Sequence, residues 1–101
     1  MSQAYRLTER AEADVEAIAD FIAADSIDAA VKVVLALEEA FVLLASRPGV
    51  GHARDDLTDR PLKFWSVYSY LVVYDPAGDT LTIVAVLHGA RDVAQILKEI
   101  G

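Results

Sequence analysis

Apolar residues recur along this chain with two different periods, and the change between them divides it into a helical half and a strand half. Ala11, Val15, Ile18, Ala19 and Ile22 fall three and four apart, the spacing of one helix face. Thr8 precedes that run as an N-cap, with Glu9 and Glu12 in the first turn, where the helix dipole favours negative charge. Glu9, Glu12, Glu16 and Asp20 share a neighbouring stripe that reads as a solvated face. Asp25-Ser-Ile-Asp28 restarts a helix that runs to about Ser46. Arg47-Pro48-Gly49 stops it, because proline lacks the N–H a helix interior needs and glycine suits the exit. Two helices joined by two or three residues fold back as an antiparallel hairpin.

The second helix is apolar over more of its circumference than one core needs. Ala29, Val33, Leu37, Ala40 and Leu44 suffice to face a core, and Val31, Leu35 and Val42 form a separate stripe bordered by Asp28, Lys32 and Glu39. Two readings of that stripe stand: burial against the first helix or the sheet, or a docking groove.

Beyond Pro48 the pattern changes. Residues 48–61 are rich in Gly, Asp, Arg and Pro and read as a loop. Leu62–Ser66, Tyr70–Tyr74 and Leu81–His88 read as strands of a meander, with a tight connection at Val67–Ser69 and a turn at Asp75–Asp79. Residues 3–7 form a further short strand. Val93, Ile96, Leu97 and Ile100 mark one face of a last short helix. The order β-α-α-β-β-β-α predicts an α+β fold, a helical hairpin packed on a small curved antiparallel sheet, as one domain over residues 1–101.

Composition sharpens this picture. With 54% apolar residues in 101, the chain folds, and it carries more apolar surface than one small core hides. A partner is therefore expected to cover the excess. The net charge of −7 is uneven: residues 1–45 hold nine acids and three bases, residues 46–101 seven acids and six bases. That balance argues against sequence-specific nucleic-acid binding, for which a basic surface is usual. Arg47, Arg54, Arg60, Lys63 and Arg91 make up a local basic patch. No run is long and apolar enough for a membrane span, nothing at the N-terminus resembles a signal peptide, and a cytoplasmic protein is expected.

Chemistry is sparse. Two histidines and no cysteine supply no closed zinc site, and neither a nucleophile elbow nor a phosphate loop occurs. No metal or cofactor is expected. The densest polar cluster is Val86-Leu-His-Gly-Ala-Arg-Asp92, where a strand ends, Gly89 turns the chain and Asp92 caps the next helix. His88 is either a general acid or base or a structural hydrogen-bonder. Arg91 either binds phosphate or ties the strand end to Asp92 or Asp75. Trp65 and Tyr68 flank a turn as exposed anchors, or else cover the sheet.

Arg47-Pro-Gly-Val-Gly51, Leu62-Lys-Phe-Trp-Ser-Val-Tyr-Ser-Tyr-Leu-Val-Val-Tyr74 and Val86-Leu-His-Gly-Ala-Arg-Asp92 together resemble the ParE branch of the RelE/ParE toxins, from bacterial type II toxin–antitoxin pairs. The resemblance covers nearly the whole chain in the same element order. It implies one of two activities. RelE-like members are ribosome-dependent mRNA endonucleases with cations along the central strands and an arginine at the sheet end. ParE-like members poison DNA gyrase by binding it. Arg91 matches the sheet-end arginine, but the nucleases' strand arginine falls on Leu71, a lysine near Phe64, and the last-helix tyrosine near Leu97. Metal-free RNA cleavage needs a base, an acid and cations. Leucine and phenylalanine supply none of them, and Lys63 points to the face opposite Phe64. The resemblance therefore implies a non-enzymatic gyrase poison; the alternatives are a RelE-like nuclease and a degenerate toxin that only binds its antitoxin. Expected target contacts are Arg54, Arg60, Trp65, Tyr68, His88 and Arg91. A ParD-like antitoxin, whose C-terminal segment folds on binding, is expected to meet Ala13, Ala17, Phe21, Val31, Leu35 and Val42.

Overall fold

A computed structural model describes residues 4–100, and its elements follow the expected order: β1 (Ala4–Leu7), α1 (Glu9–Ala23), α2 (Ile27–Ser46), β2 (Lys63–Val67), β3 (Tyr70–Asp75), β4 (Thr80–His88) and α3 (Val93–Glu99). Gln3, the first position of the expected N-terminal strand, lies outside the described residues. Each helix opens on a short polar side chain that accepts from the first turn. Thr8 accepts from the Ala11 N–H, Ser26 from Ala29 and Asp92 from Gln95.

The sheet order is β1-β4-β3-β2. The last three strands form the expected antiparallel meander, with Val67 opposite Tyr70 and Leu71 opposite Leu87. β1 departs from expectation: it joins the free edge of β4 in parallel, Tyr5 opposite Leu81 and Leu7 opposite Ile83. The sheet is therefore mixed. A four-residue edge strand has no hairpin neighbour in sequence, so its direction follows from α1, which leaves its end to cross the rest of β4.

That crossing is fastened at a register step. Val73 pairs with Ala85 and Tyr74 with Ile83, so Val84 is an extra residue in β4. Its carbonyl accepts from the Thr8 hydroxyl at 2.8 Å, and the Ile83 carbonyl accepts from the Thr8 N–H at 3.0 Å. Further along, the buried Val86 donates its N–H to Asp14 Oδ2 at 3.0 Å, and Arg10 holds the same carboxylate at 3.4 Å. Asp14 thus occupies a strand-edge donor that β1 is too short to reach.

Strand alternation sorts the two faces of the sheet. Val72, Tyr74, Leu81, Ile83 and Val86 meet Ala11, Leu37, Phe41 and Leu44 of the hairpin. Phe64, Val73, Ala85 and Leu87 meet Leu62, Val93 and Leu97 on the other side. Leu37, Ala40 and Leu44 are buried as expected, with Ala30, Phe41 and Ala45 beside them. Each large side chain fully buried this way contributes about 1.5–3 kcal/mol. Val31, Leu35 and Val42 stay exposed, so the second stripe is not core.

Tyr74 pins the Pro48–Gly51 turn to the sheet. Its hydroxyl donates to the Pro48 carbonyl at 2.8 Å and accepts from the Gly51 N–H at 2.9 Å. A Cβ on Gly51 would run into the Tyr74 ring, so only glycine fits there. Gly89, by contrast, needs no left-handed backbone; among the described residues positive φ falls on Gly78 and on Tyr68. Gly89 instead donates its N–H to the Ser69 carbonyl at 2.9 Å, locking the β4 end to the β2–β3 turn.

Two stability measurements check this description. Asp14→Ala strands a buried N–H and should cost about 1–3 kcal/mol. The melting temperature then falls by roughly 4–8 °C per kcal/mol at this size; an unchanged melt would show that the clamp is dispensable. Burial pushes the Tyr74 phenol above its ordinary 10.0. The folded phenol stays protonated where the unfolded one ionises, so this contribution is whole below pH 10.0 and is lost as pH rises toward the raised value. Tyr74→Phe should lower the melting temperature at neutral pH and give a shallower decline above pH 10.0 than wild type; parallel alkaline curves would contradict that sign.

Candidate functional site

At one end of the meander the β2–β3 turn and the β4–α3 turn lie side by side, and an open cavity of about 390 Å³ forms between them and the long loop. Arg54, Tyr68 and Arg91 of the expected target contacts line it, together with Leu71 and Gly89. Tyr68 holds φ at 53° and the residue is 70% exposed. A left-handed backbone on a bulky residue costs on the order of 1–3 kcal/mol and persists where the surroundings impose it. The tight two-residue turn imposes it here, and turns the ring out to solvent.

The three arginines are engaged differently. Arg54 donates to both oxygens of Asp56, at 2.9 and 2.7 Å, and those bonds hold the Asp56 carboxyl below its usual range and raise the guanidinium. Both groups are exposed, so the pair contributes little to stability. Arg60 donates to the Ile100 carbonyl at 2.9 Å, tying the loop to the end of α3 beside a separate cavity of about 590 Å³. Arg91 makes no side-chain hydrogen bond or ion pair among the described residues, with neither Asp92 nor Asp75 as its partner. Its guanidinium is an available cation.

His88 is spent on local structure. Its Nδ1 accepts from the Ala90 N–H at 3.1 Å, which places the ring proton on Nε2, and the ring meets Tyr70 edge-on at 5.5 Å. His88 and Arg91 also share a third cavity of about 340 Å³ with Tyr70, Ile18, Ala17 and Phe21. Trp65 lies apart from all of these: half-buried opposite Val72, it packs on the hairpin side of the sheet. Of the six expected target contacts, the structure brings Arg54, Tyr68 and Arg91 together, sets His88 adjacent, and separates Arg60 and Trp65 from them.

The six expected antitoxin contacts divide as well. Ala17 and Phe21 face the His88–Arg91 cavity, whereas Val31 and Leu35 line a groove of about 280 Å³ between α1 and α2. Val42 continues the exposed stripe of α2, and Ala13 lies exposed on α1. Ile27 belongs with Val31 and Leu35, and its i, i+4, i+8 spacing was the available signal. Asp14 was also detectable: it falls between Ala11 and Ile18 on the buried side of α1, apart from the acidic stripe.

Phe64, Leu71 and Leu97, the positions weighed in the sequence against nuclease chemistry, carry apolar side chains in or against the core. Phe64 and Leu97 are buried in the second core, and Leu71 is half-buried against it. Lys63 points to the opposite face from Phe64, as strand alternation requires. Among the described residues no cluster of three metal-ligating side chains forms, and no helix is long and apolar enough to cross a membrane.

Comparison with known proteins places these features. The family model described as the ParE toxin of the type II toxin-antitoxin system, parDE, matches residues 5–93. A solved structure titled as the chromosomal ParDE TA system from P. aeruginosa superposes with a TM-score of 0.70 at 19% identity. The match covers 86% of this chain and 96% of that one. No curated protein matches the sequence significantly. The family match takes in the loop, the meander and the Val86–Asp92 corner, and the likeness in fold spans nearly the whole domain: the chain belongs to the ParE toxin family of type II toxin–antitoxin systems.

Proposed function

We propose that this toxin arrests growth by binding DNA gyrase and holding it on cleaved DNA, and that a ParD-like antitoxin neutralises it. The observation that carries the reading is the burial of the apolar Phe64 and Leu97, near which the resemblance would set a nuclease's lysine and tyrosine. Acid–base cleavage of RNA requires a proton acceptor, a proton donor and cations around one phosphate. Arg91 is one cation, and His88 already accepts an N–H through Nδ1. A binding mechanism needs no such constellation. It needs anchors, and an exposed aromatic beside an unpaired arginine is the composition that binding hot spots favour. Tyr68 and Arg91 are accordingly the proposed centre of the target contact, with Arg54 and His88 beside them and Arg60 and Trp65 outside it. The action requires no cofactor and is set in the bacterial cytoplasm.

Expression without antitoxin tests the mechanism: filamentous cells with a DNA-damage response support it, whereas rapid translation arrest with cut mRNA supports the nuclease, and normal growth the degenerate toxin. Tyr68→Gly separates function from folding in the same assay. Glycine relieves the left-handed strain, so the melting temperature should hold or rise while toxicity falls by about ten-fold or more. A fully toxic Tyr68→Gly variant would remove Tyr68 from the contact.

Val31, Leu35 and Val42, with Phe21 and Ala17 across α1, are the proposed antitoxin contacts, and Ala13 lies at their margin. Leu35→Asp should weaken antitoxin binding by roughly ten- to hundred-fold, with the helical circular dichroism unchanged. An unfolded variant would return Leu35 to the core.

A further inference from the structure

An apolar stripe runs along the outer side of the hairpin, and none of the described residues covers it. Ile27 is 71% exposed, and Val31, Leu35 and Val42, each more than half exposed, continue the line along α2. At 1.5 Å per residue the stripe is about 22 Å long. Ala19 and Ala23 of α1 form the other wall of the groove at its upper end. Their small side chains leave room for another backbone to come close. Single exposed apolar residues are ordinary, but Ile27, Val31 and Leu35 form an unbroken run at i, i+4 and i+8, with Val42 beyond Glu38, and such a run marks an interaction surface.

Charge identifies the occupant. By helical angle Glu38 sits within the stripe and Asp28 and Glu39 border it, while Asp20 borders the groove from α1. All four are exposed, and none forms an ion pair among the described residues. Lys32 is the single base of α2. A second copy of this chain would set these acids against their own kind, and like charges across an interface are costly. An anionic lipid surface is disfavoured for the same reason. An amphipathic helix with lysine or arginine along both borders of its apolar face meets the length, the apolar line and the charge at once.

We infer that this stripe seats a basic amphipathic helix of about four turns, contributed by the antitoxin; the source of the helix rests on the antitoxin reading above, and its chemistry rests on the stripe alone. Two synthetic peptides of that length, with one shared leucine–alanine face and either lysine or glutamate borders, provide the probe. Fluorescence anisotropy against the whole protein should show the lysine peptide binding at least about ten-fold tighter, with the advantage shrinking as salt rises. Glu38→Lys with Glu39→Lys should cost the lysine peptide about ten-fold. Asp55→Lys with Asp59→Lys, on the loop across the sheet, changes the net charge equally and should leave binding intact.

Equal binding of the two peptides, no binding of the lysine peptide, or equal losses from both double variants would overturn the inference. So would concentration-dependent self-association that Leu35→Asp abolishes, since a second copy would then be the occupant. A cognate ParD-like antitoxin separates the two claims. If it binds wild type and the Glu38→Lys, Glu39→Lys variant alike, the inference falls and the antitoxin reading stands. If it binds neither while the lysine peptide keeps its preference, the antitoxin reading falls and the basic-helix surface stands.

Discussion

Thr8 and Asp14 fasten α1 to the half of β4 that β1 is too short to pair, and the arrangement of the rest depends on that attachment. β1 ends at Leu7, opposite Ile83, so the β4 edge from Val84 onward has lost its ladder neighbour. An unpaired buried strand edge is unfavourable, because each orphaned donor or acceptor carries its full desolvation cost. The extra residue at Val84 turns a carbonyl toward Thr8, and Asp14 takes the Val86 N–H. A helix replaces a strand as the edge's partner. Its position then follows: α1 lies along β4 with Ala11 in the core, and α2 must return beside it over the same face.

Once both helices lie on one face, two surfaces remain open. The apolar stripe of α2 faces away from the sheet along an open groove whose other wall is α1, and among the described residues nothing covers it. At one end of the meander the Tyr68 turn lies beside Arg91, with the Tyr68 side chain exposed and Arg91 unpaired among the described residues. The acidic helical half and the more balanced strand half thus carry different surfaces. One suits a partner helix, the other a compact contact on a larger protein.

Much of this was legible in the sequence, because the fold signals are local. Thr8, Ser26 and Asp92 cap the helices their positions announce, and the two hydrophobic periods mark the hairpin and the meander. The parallel pairing of β1 was not legible, since residues 4–7 contain nothing that sets strand direction; the long-range clamp to β4 sets it. Gly51 reads as a turn glycine until Tyr74, 23 positions away, is seen filling the space beside it. At the candidate site the residue types were legible but their grouping was not. Arg54 and Arg60 look equivalent in sequence, yet Asp56 engages one and the end of α3 the other. Ala17 and Leu35 read as one docking surface, and α1 itself stands between their two grooves.

The family match makes the chain a ParE-type toxin, and the proposed mode of action is contact, through the strained Tyr68 turn and Arg91. Purified toxin mixed with DNA gyrase, ATP and supercoiled plasmid measures this most directly. The account predicts that linear DNA with gyrase covalently attached accumulates in proportion to toxin. Unimpaired supercoiling with no cleaved plasmid, together with cut mRNA on toxin-treated ribosomes, would contradict it.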